Sequence, residues 1–216
     1  MEALISYLRT RLQQPLPGRE AQIRMSAVPV DQERFVFKER PDAKQGSVLI
    51  LLYKHQGEWF IPLMLRPDYE GVHGGQVSFP GGKKEEQDAD LFETALREAH
   101  EEVGIEQDKV KILGAMTEMY IPPSNFKVFP VLAYTEQRPD FLINQYEVVR
   151  VIEMPLRLLL QEETIQHKVM TVLGKFTLQT PYFAIDNETV WGATAMMLSE
   201  LKFILQEVAG DPSLDL

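Results

Sequence analysis

Two long helix-forming stretches, about residues 90–103 and 187–209, interrupt a series of short apolar runs of strand type, and this order constrains the fold most. In the first stretch Phe92, Ala95, Leu96, Ala99 and Val103 fall on one arc at about 100° per residue. A helix with such a stripe buries it against another layer. The chain is therefore expected to be one α/β domain, 1–216, with helices and sheet layered as α/β/α. "GSVLILLY" (46–53) reads as a buried strand, "HQGE" as a turn and "WFIPLML" (59–65) as the returning strand. "QVSF" (76–79) is a short strand closed by the turn signal "PGG". "KVKILGAMTEMYI" and "FKVFPVLAY" are further strands, Pro155 opens a short helix, and "TIQHKVMTVLGKFTLQ" is a two-stranded excursion turning near Gly174. Gly104 is the expected C-cap of the first long helix and Asn187 the N-cap of the second. Ahead of these lie a helix over 2–14 and a Pro-containing leader, 15–34, with little expected regular structure; 210–216 form a tail.

Charge and composition narrow the function. With 22 basic and 32 acidic residues the net charge is −10, which argues against non-specific binding to nucleic acid or anionic membranes. There is no cysteine, so disulfides and thiol catalysis are excluded. The first residues lack the apolar stretch of a secretory signal, and no apolar run reaches bilayer-spanning length. A cytoplasmic protein acting on a small molecule is expected, and a homodimer is compatible with these features.

"REAHEEVG" (97–104) crowds Glu98, Glu101 and Glu102 into an arc of about 100°, clear of the apolar stripe. Like charges at i,i+3 and i,i+4 cost a few tenths of a kcal/mol per pair. A solvated acidic face would tolerate this. A site for hard divalent cations, which take several carboxylate oxygens, would use it. Upstream, "FPGGKKEEQDADLFETAL" sets a strand, a tight glycine turn and an acidic loop ahead of the helix. Glycines allow a backbone carbonyl to approach a ligand closely, so a turn carbonyl could join the carboxylates around a metal.

The stretch 79–105 resembles the Nudix box: a glycine, five residues, a glutamate, seven residues, then Arg-Glu, apolar, any, Glu-Glu, any, Gly, apolar. Gly82 supplies the first glycine, and Arg97, Glu98, Ala99, Glu101, Glu102, Gly104 and Ile105 match the second half. The spacing from Gly82 to Arg97 is one residue longer than the general pattern. Counting forward puts Asp88 in the place of the first glutamate; counting back puts Ala89 there. Over about residues 15–205 the chain is similar to the coenzyme A pyrophosphatases within that family, on "LPGREAQIRMS", "GGQVSFPGGK", "VIEMPLRLLL" and "VWGATA". Gly71 stands where their upstream motif carries an arginine and Met64 where it carries a threonine, while Arg66 is kept.

The resemblance implies a Nudix fold, an α/β/α sandwich with a mixed sheet between helices, and a Mg²⁺- or Mn²⁺-dependent pyrophosphohydrolase. It implies metal ligands at Glu98, Glu101, Glu102 and the Gly81 carbonyl, with Glu101 a ligand or a general base. Arg97 joins the catalytic set as the residue that orients a box carboxylate. Arg66, Lys83, Lys84 and Lys127 are expected to meet substrate phosphates, and Tyr120 and Phe126, flanking "IPPSN", to stack on a base. Glu85 and Asp88 are either outer metal ligands or solvated loop acids. His73 and His100 lack metal spacing to one another, and Trp191 is expected to pack. For coenzyme A the products would be 3′,5′-ADP and 4′-phosphopantetheine. ADP-ribose or a dinucleotide is an alternative substrate. A Nudix-fold binding or sensor domain without turnover, or a domain stabilised by structural Ca²⁺, is an alternative of another class.

Overall fold

The structure, a computed structural model, describes residues 2–30, 38–69, 74–172 and 176–211. The strands in chain order are β1 (Val28–Pro29), β2 (Lys44–His55), β3 (Glu58–Leu65), β4 (Val77–Ser78), β5 (Gly81–Lys83), β6 (Lys111–Ala115), β7 (Met119–Ile121), β8 (Phe126–Tyr134), β9 (Arg150–Pro155), β10 (Ile165–Val172), β11 (Phe176–Ile185) and β12 (Glu188–Val190). The helices are α1 (Glu2–Arg11), α2 (Gly18–Gln22), α3 (Leu91–Val103), α4 (Arg157–Leu160) and α5 (Gly192–Gln206).

An eight-stranded mixed sheet runs β4-β3-β2-β8-β6, with β9 on β3, β5 on β2 and β7 on β8. β2 and β8 are parallel, Lys44 to Leu52 facing Phe126 to Tyr134. The apolar run of β2 is continuous because both faces of this sheet are covered. Leu49 and Leu51 pack into one core with Ala95, Ala99 and Val103 of α3. Ile50 and Leu52 point the other way, into a core with Leu4 and Leu8 of α1 and Leu201 and Leu205 of α5. Each such fully buried side chain contributes about 1.5–3 kcal/mol. The residues facing β2 on α3 include two alanines, whose small side chains permit close approach of the helix to the sheet. The flanking glutamates are thereby carried up to the glycine turn. α1 is clipped to α5 as well as packed on it: the Tyr7 hydroxyl donates to the Ile204 carbonyl at 2.9 Å, and Arg11 Nε lies 2.7 Å from Glu207 Oε2.

α3 is bounded as its sequence requires. Asp90 Oδ1 accepts from the amides of Phe92 and Glu93, both at 2.9 Å, and Gly104 closes the helix at φ 74°.

Several expectations need correction. The leader is ordered in part: it forms α2 and a 3₁₀ turn at Ile23–Met25, held by α5 through Ser199 Oγ donating to the Ala21 carbonyl at 2.7 Å. The "PGG" turn continues into β5, which pairs with β2. Pro155 does not open the short helix: it ends β9, which runs in register with β3, and α4 starts at Arg157. Asn187 does not cap α5. Asp186 and Asn187 both have positive φ, 50° and 63°, and form the two-residue turn between β11 and β12, with Ile185 opposite Glu188. α5 starts only at Gly192, after Trp191. The excursion is the hairpin β10–β11, part of a second, four-stranded antiparallel sheet with β1 and β12. Gly174, Gly71 and His73 lie outside the described residues.

Candidate active site

The glycine turn and the glutamate helix meet at one end of a cavity of about 760 Å³. Glu102 lies beneath the turn, 2 % exposed, and accepts the Gly81 amide at 2.7 Å. Arg66, from the end of β3, braces the same place. Its Nε donates to Ser78 Oγ at 3.1 Å, and its Nη2 lies 3.3 Å from Glu102 Oε1 and 3.4 Å from the Gly81 carbonyl. Burial pushes the Glu102 carboxyl up to about 7. Arg66 and the Gly81 amide oppose this, and the charges of Glu98 and Glu147 add to it. Glu98 is raised as well, by burial first, against the opposing pull of Arg97.

Gly82 is where the close approach requires glycine. A Cβ there would stand 2.5 Å from the Glu98 carboxylate. The obstructing atoms are the far end of a flexible side chain, so Gly82→Ala is expected to fold and to displace Glu98. Loss of placement at a reacting centre is costly, and kcat/KM is expected to fall roughly tenfold or more with an unchanged melting temperature. Equal activity in the alanine variant would show that the position of Glu98 is immaterial. At Gly81 the added Cβ would meet backbone, the Ser47 carbonyl at 2.3 Å, so that substitution strains the fold itself.

The extra residue in the box is resolved by Asp88. It is 3 % exposed, and both oxygens are engaged by the Arg97 guanidinium, Nε to Oδ1 at 2.8 Å and Nη2 to Oδ2 at 3.0 Å. Thr94 Oγ1 and the Glu85 amide also donate to Oδ2, each at 2.9 Å. The guanidinium thus holds the carboxyl well below the usual carboxylate range. Asp88, not Ala89, occupies the acidic position. Asp88 is therefore a buried partner of Arg97 and not a solvated loop acid. The same arginine reaches the Lys83 carbonyl at 3.1 Å, Glu98 Oε1 at 3.0 Å and Glu101 Oε2 at 3.1 Å. It ties loop, turn and helix together and does not line the cavity.

The remaining candidates divide. Glu98, Glu102, Gly81, Arg66, Lys83, Tyr120 and Phe126 all line the cavity. Glu101 does not; it is an exposed partner of Arg97 on the outer side of α3. Lys84 turns away, its Nζ donating to the Asp88 carbonyl at 2.7 Å. Lys127 is spent on Glu118 at 2.9 Å and Glu39 at 3.7 Å and lies off the lining. The Tyr120 hydroxyl donates to Asn125 Oδ1 at 3.0 Å, and Phe126 carries the Lys44 ammonium 5.7 Å from its ring centre. His100 sits on the exposed side of α3 with Nδ1 3.1 Å from the Ile105 carbonyl. Trp191 also lines the cavity.

Glu147 is a further acid at the site that the sequence does not signal. It lines the cavity close enough for its charge to raise both Glu98 and Glu102, and Asn144 Nδ2 steadies it at 3.0 Å. Its loop is tied to α3 by the Asn144 amide donating to the Glu102 carbonyl at 2.9 Å. No local pattern around "NQYE" signals this, because the proximity is wholly tertiary. Among the described residues, no three acidic or histidine side chains stand close enough together to enclose a metal ion. No helix among them is long and apolar enough to cross a membrane.

Comparison with known proteins bears on the family and the fold. The family model described as NUDIX domain matches residues 43–165. An uncharacterized Nudix hydrolase, NudL, of Pectobacterium atrosepticum is 31% identical over 166 residues, 73% of this chain and 81% of that protein. NudL of Yersinia enterocolitica is 38% identical over 112 residues, 47% of this chain and 57% of its own. A protein of Mus musculus named mitochondrial coenzyme A diphosphatase NUDT8 is 37% identical over 133 residues, 59% of this chain and 61% of that one. The match to these last two thus spans less than two thirds of their length. Among solved structures, a Nudix hydrolase of M. smegmatis, RenU, shares the fold with a TM-score of 0.53 at 13% identity, over 84% of this chain and 94% of that one. The matched segment is more than half of the chain, and the relative from Pectobacterium is aligned over most of its length, so this protein belongs to the Nudix hydrolases.

Proposed function

We propose that this protein hydrolyses the diphosphate bond of coenzyme A or a derivative, with divalent metal, to 3′,5′-ADP and 4′-phosphopantetheine. The observation that carries the reading is the convergence of Glu98, Glu102 and the Gly81–Gly82 turn at one end of a cavity large enough for a nucleotide. The name of the mouse relative supports the choice of coenzyme A.

The donor set suits Mg²⁺ or Mn²⁺. It consists of oxygens alone, two carboxylates and a carbonyl, beside a glycine whose missing Cβ leaves room at the Glu98 carboxylate. Glu98, Glu102 and the Gly81 carbonyl would hold the cation. When bound, it supplies positive charge against the diphosphate and lowers the pKa of nearby water. The chain's own groups do the rest. Arg66 fixes the orientation of Glu102. Lys83 offers an ammonium at the end of β5, on the cavity side of the turn. The faces of Tyr120 and Phe126 offer stacking surfaces for a base. Arg97 keeps Glu98 in line from behind.

The test is a screen of coenzyme A, dephospho-coenzyme A and ADP-ribose at matched Mg²⁺ or Mn²⁺, with products read by mass. Coenzyme A is expected to be cleaved at the diphosphate, and a chelator to abolish turnover. Tenfold greater catalytic efficiency on ADP-ribose would overturn the substrate. Full turnover in chelator would overturn the metal dependence.

A further inference from the structure

The leader segment Gly18–Met25 has no part in the site described so far, yet it forms a wall of the same cavity through Arg19, Gln22 and Ile23. It is held there by a buried carboxylate. Glu200 of α5 is 0 % exposed and accepts from the Gly18 amide at 3.0 Å, Gln22 Nε2 at 3.0 Å and Thr117 Oγ1 at 2.5 Å. Gln22 Nε2 also donates to the Thr117 carbonyl at 3.1 Å. A buried carboxyl group is costly to place without hydrogen-bond partners, and these three donors belong to the leader and to the approach of β7. Glu200 therefore joins the leader, α5 and the strand that carries Tyr120 at one point.

Arg19 is fixed at the start of this pinned segment. It is exposed and lines the cavity, and its guanidinium has no hydrogen-bond or ion-pair partner among the described residues. The acids on the same wall, Glu39 and Glu118, are both engaged by Lys127. The wall can be followed from the glutamates to Arg19. Glu98 abuts Gly82, which pairs with Ser47; next to it Gly46 packs against the Phe126 ring; Phe126 and Lys127 pair with Ile121 and Tyr120; Thr117, just before β7, abuts Gly18. The Phe126 ring thus stands between the glutamate end and Arg19 along this wall. A nucleotide stacked on it with its diphosphate at the glutamates has Arg19 on the far side of its nucleoside.

We propose that Arg19 is a specificity-determining residue that binds a second, non-scissile phosphate of the nucleotide, and that Glu200 is the positioning residue that keeps it in place. Resting on the reading above, that group is the 3′-phosphate of coenzyme A. A charged hydrogen bond of this kind changes affinity about ten- to a hundredfold.

The test is calorimetric binding of 3′,5′-ADP and of 5′-AMP to the full chain and its variants, with coenzyme A kinetics alongside. The parent is expected to prefer 3′,5′-ADP about ten- to a hundredfold. Arg19→Ala should erase the preference and Arg19→Lys keep part of it. In Arg19→Ala the KM for coenzyme A should rise, with kcat and melting temperature unchanged. A parent that binds both nucleotides alike, or an alanine variant that keeps the preference, would overturn the role of Arg19. Glu200→Gln should weaken the preference at unchanged kcat. Gln22→Met, which leaves Glu200 with two donors, should weaken it too and serves if the first variant does not fold. An unchanged preference in a folded variant would overturn the positioning role. Failure of the parent to cleave coenzyme A would overturn the proposed substrate alone, since the binding preference is measured without turnover.

Discussion

Glu98→Gln and Glu102→Gln are each expected to fold and to lose turnover by about a hundredfold or more. Replacing a charged oxygen ligand by an amide should remove roughly 3 kcal/mol or more of transition-state stabilisation. Neither side chain belongs to the two apolar cores, so no cavity opens. Stability should move the opposite way at Glu102. Its folded-state carboxyl is raised to about 7, above the ordinary 4.5, so the folded protein holds this proton more tightly than the unfolded chain does. The penalty is absent below about pH 4.5, grows as pH rises between the two values and is complete above pH 7. In metal-free solution Glu102→Gln should therefore be more stable than the parent at pH 8, by about 2 kcal/mol, and nearly equal to it at pH 4.5. Melting curves in chelator at the two pH values decide this. A glutamine variant destabilised equally at both would show that burial does not penalise the ionised form of Glu102. Near-parental turnover in both variants would remove these glutamates from the metal site.

Asp88→Ala is expected to be the most destabilising single change near the site. It leaves the Arg97 guanidinium, 13% exposed, without its bidentate partner, and it strips Thr94 and the Glu85 amide of their acceptor. Breaking a buried pair by removing one member costs about 3–5 kcal/mol, which in a domain of this size is on the order of 10 °C in melting temperature. Because the folded-state Asp88 carboxyl lies below its ordinary value of 3.8, its contribution is present above that pH and lost as pH falls toward the folded-state value. The deficit of the alanine variant should accordingly shrink in acid. A melting temperature within 2 °C of the parent at neutral pH would refute the account. Activity should fall too, because Arg97 also aligns Glu98.

The sequence carried much of this site because the box is local. Asp90, the apolar stripe of α3 and Gly104 set the helix within one continuous segment, and the spacing of Glu98 and Glu102 then places both carboxylates on the side of the turn. What lay hidden depends on contacts between distant segments. Glu147 reaches the site through a loop tied to the end of α3. Lys84 and Lys127 look like free cations until the Asp88 carbonyl and Glu118 are seen beside them. Glu101 shares a helical arc with the other glutamates, but Arg97 holds it outward. The long apolar run after Asn187 makes a helix from that residue the expectation, whereas the pairing of β11 with β12 that turns the chain at Asp186–Asn187 is set by the second sheet.

The clasp between α1 and α5 has a consequence for how the chain folds. α1 is made well before α5, yet Leu4 and Leu8 share a core with Leu201 and Leu205, and Tyr7 and Arg11 reach partners close to 200 positions away. The central parallel pair of strands is also distant in sequence, about eighty positions apart. Ordering such contacts requires closing long loops before any reward is gained, which slows folding. During synthesis the face of the sheet that α5 covers stays open to solvent until that helix has emerged. The opposite face, closed by α3, can be buried once β8 has joined β2, so the layer that bears the glutamates is expected to consolidate first and the clasp last.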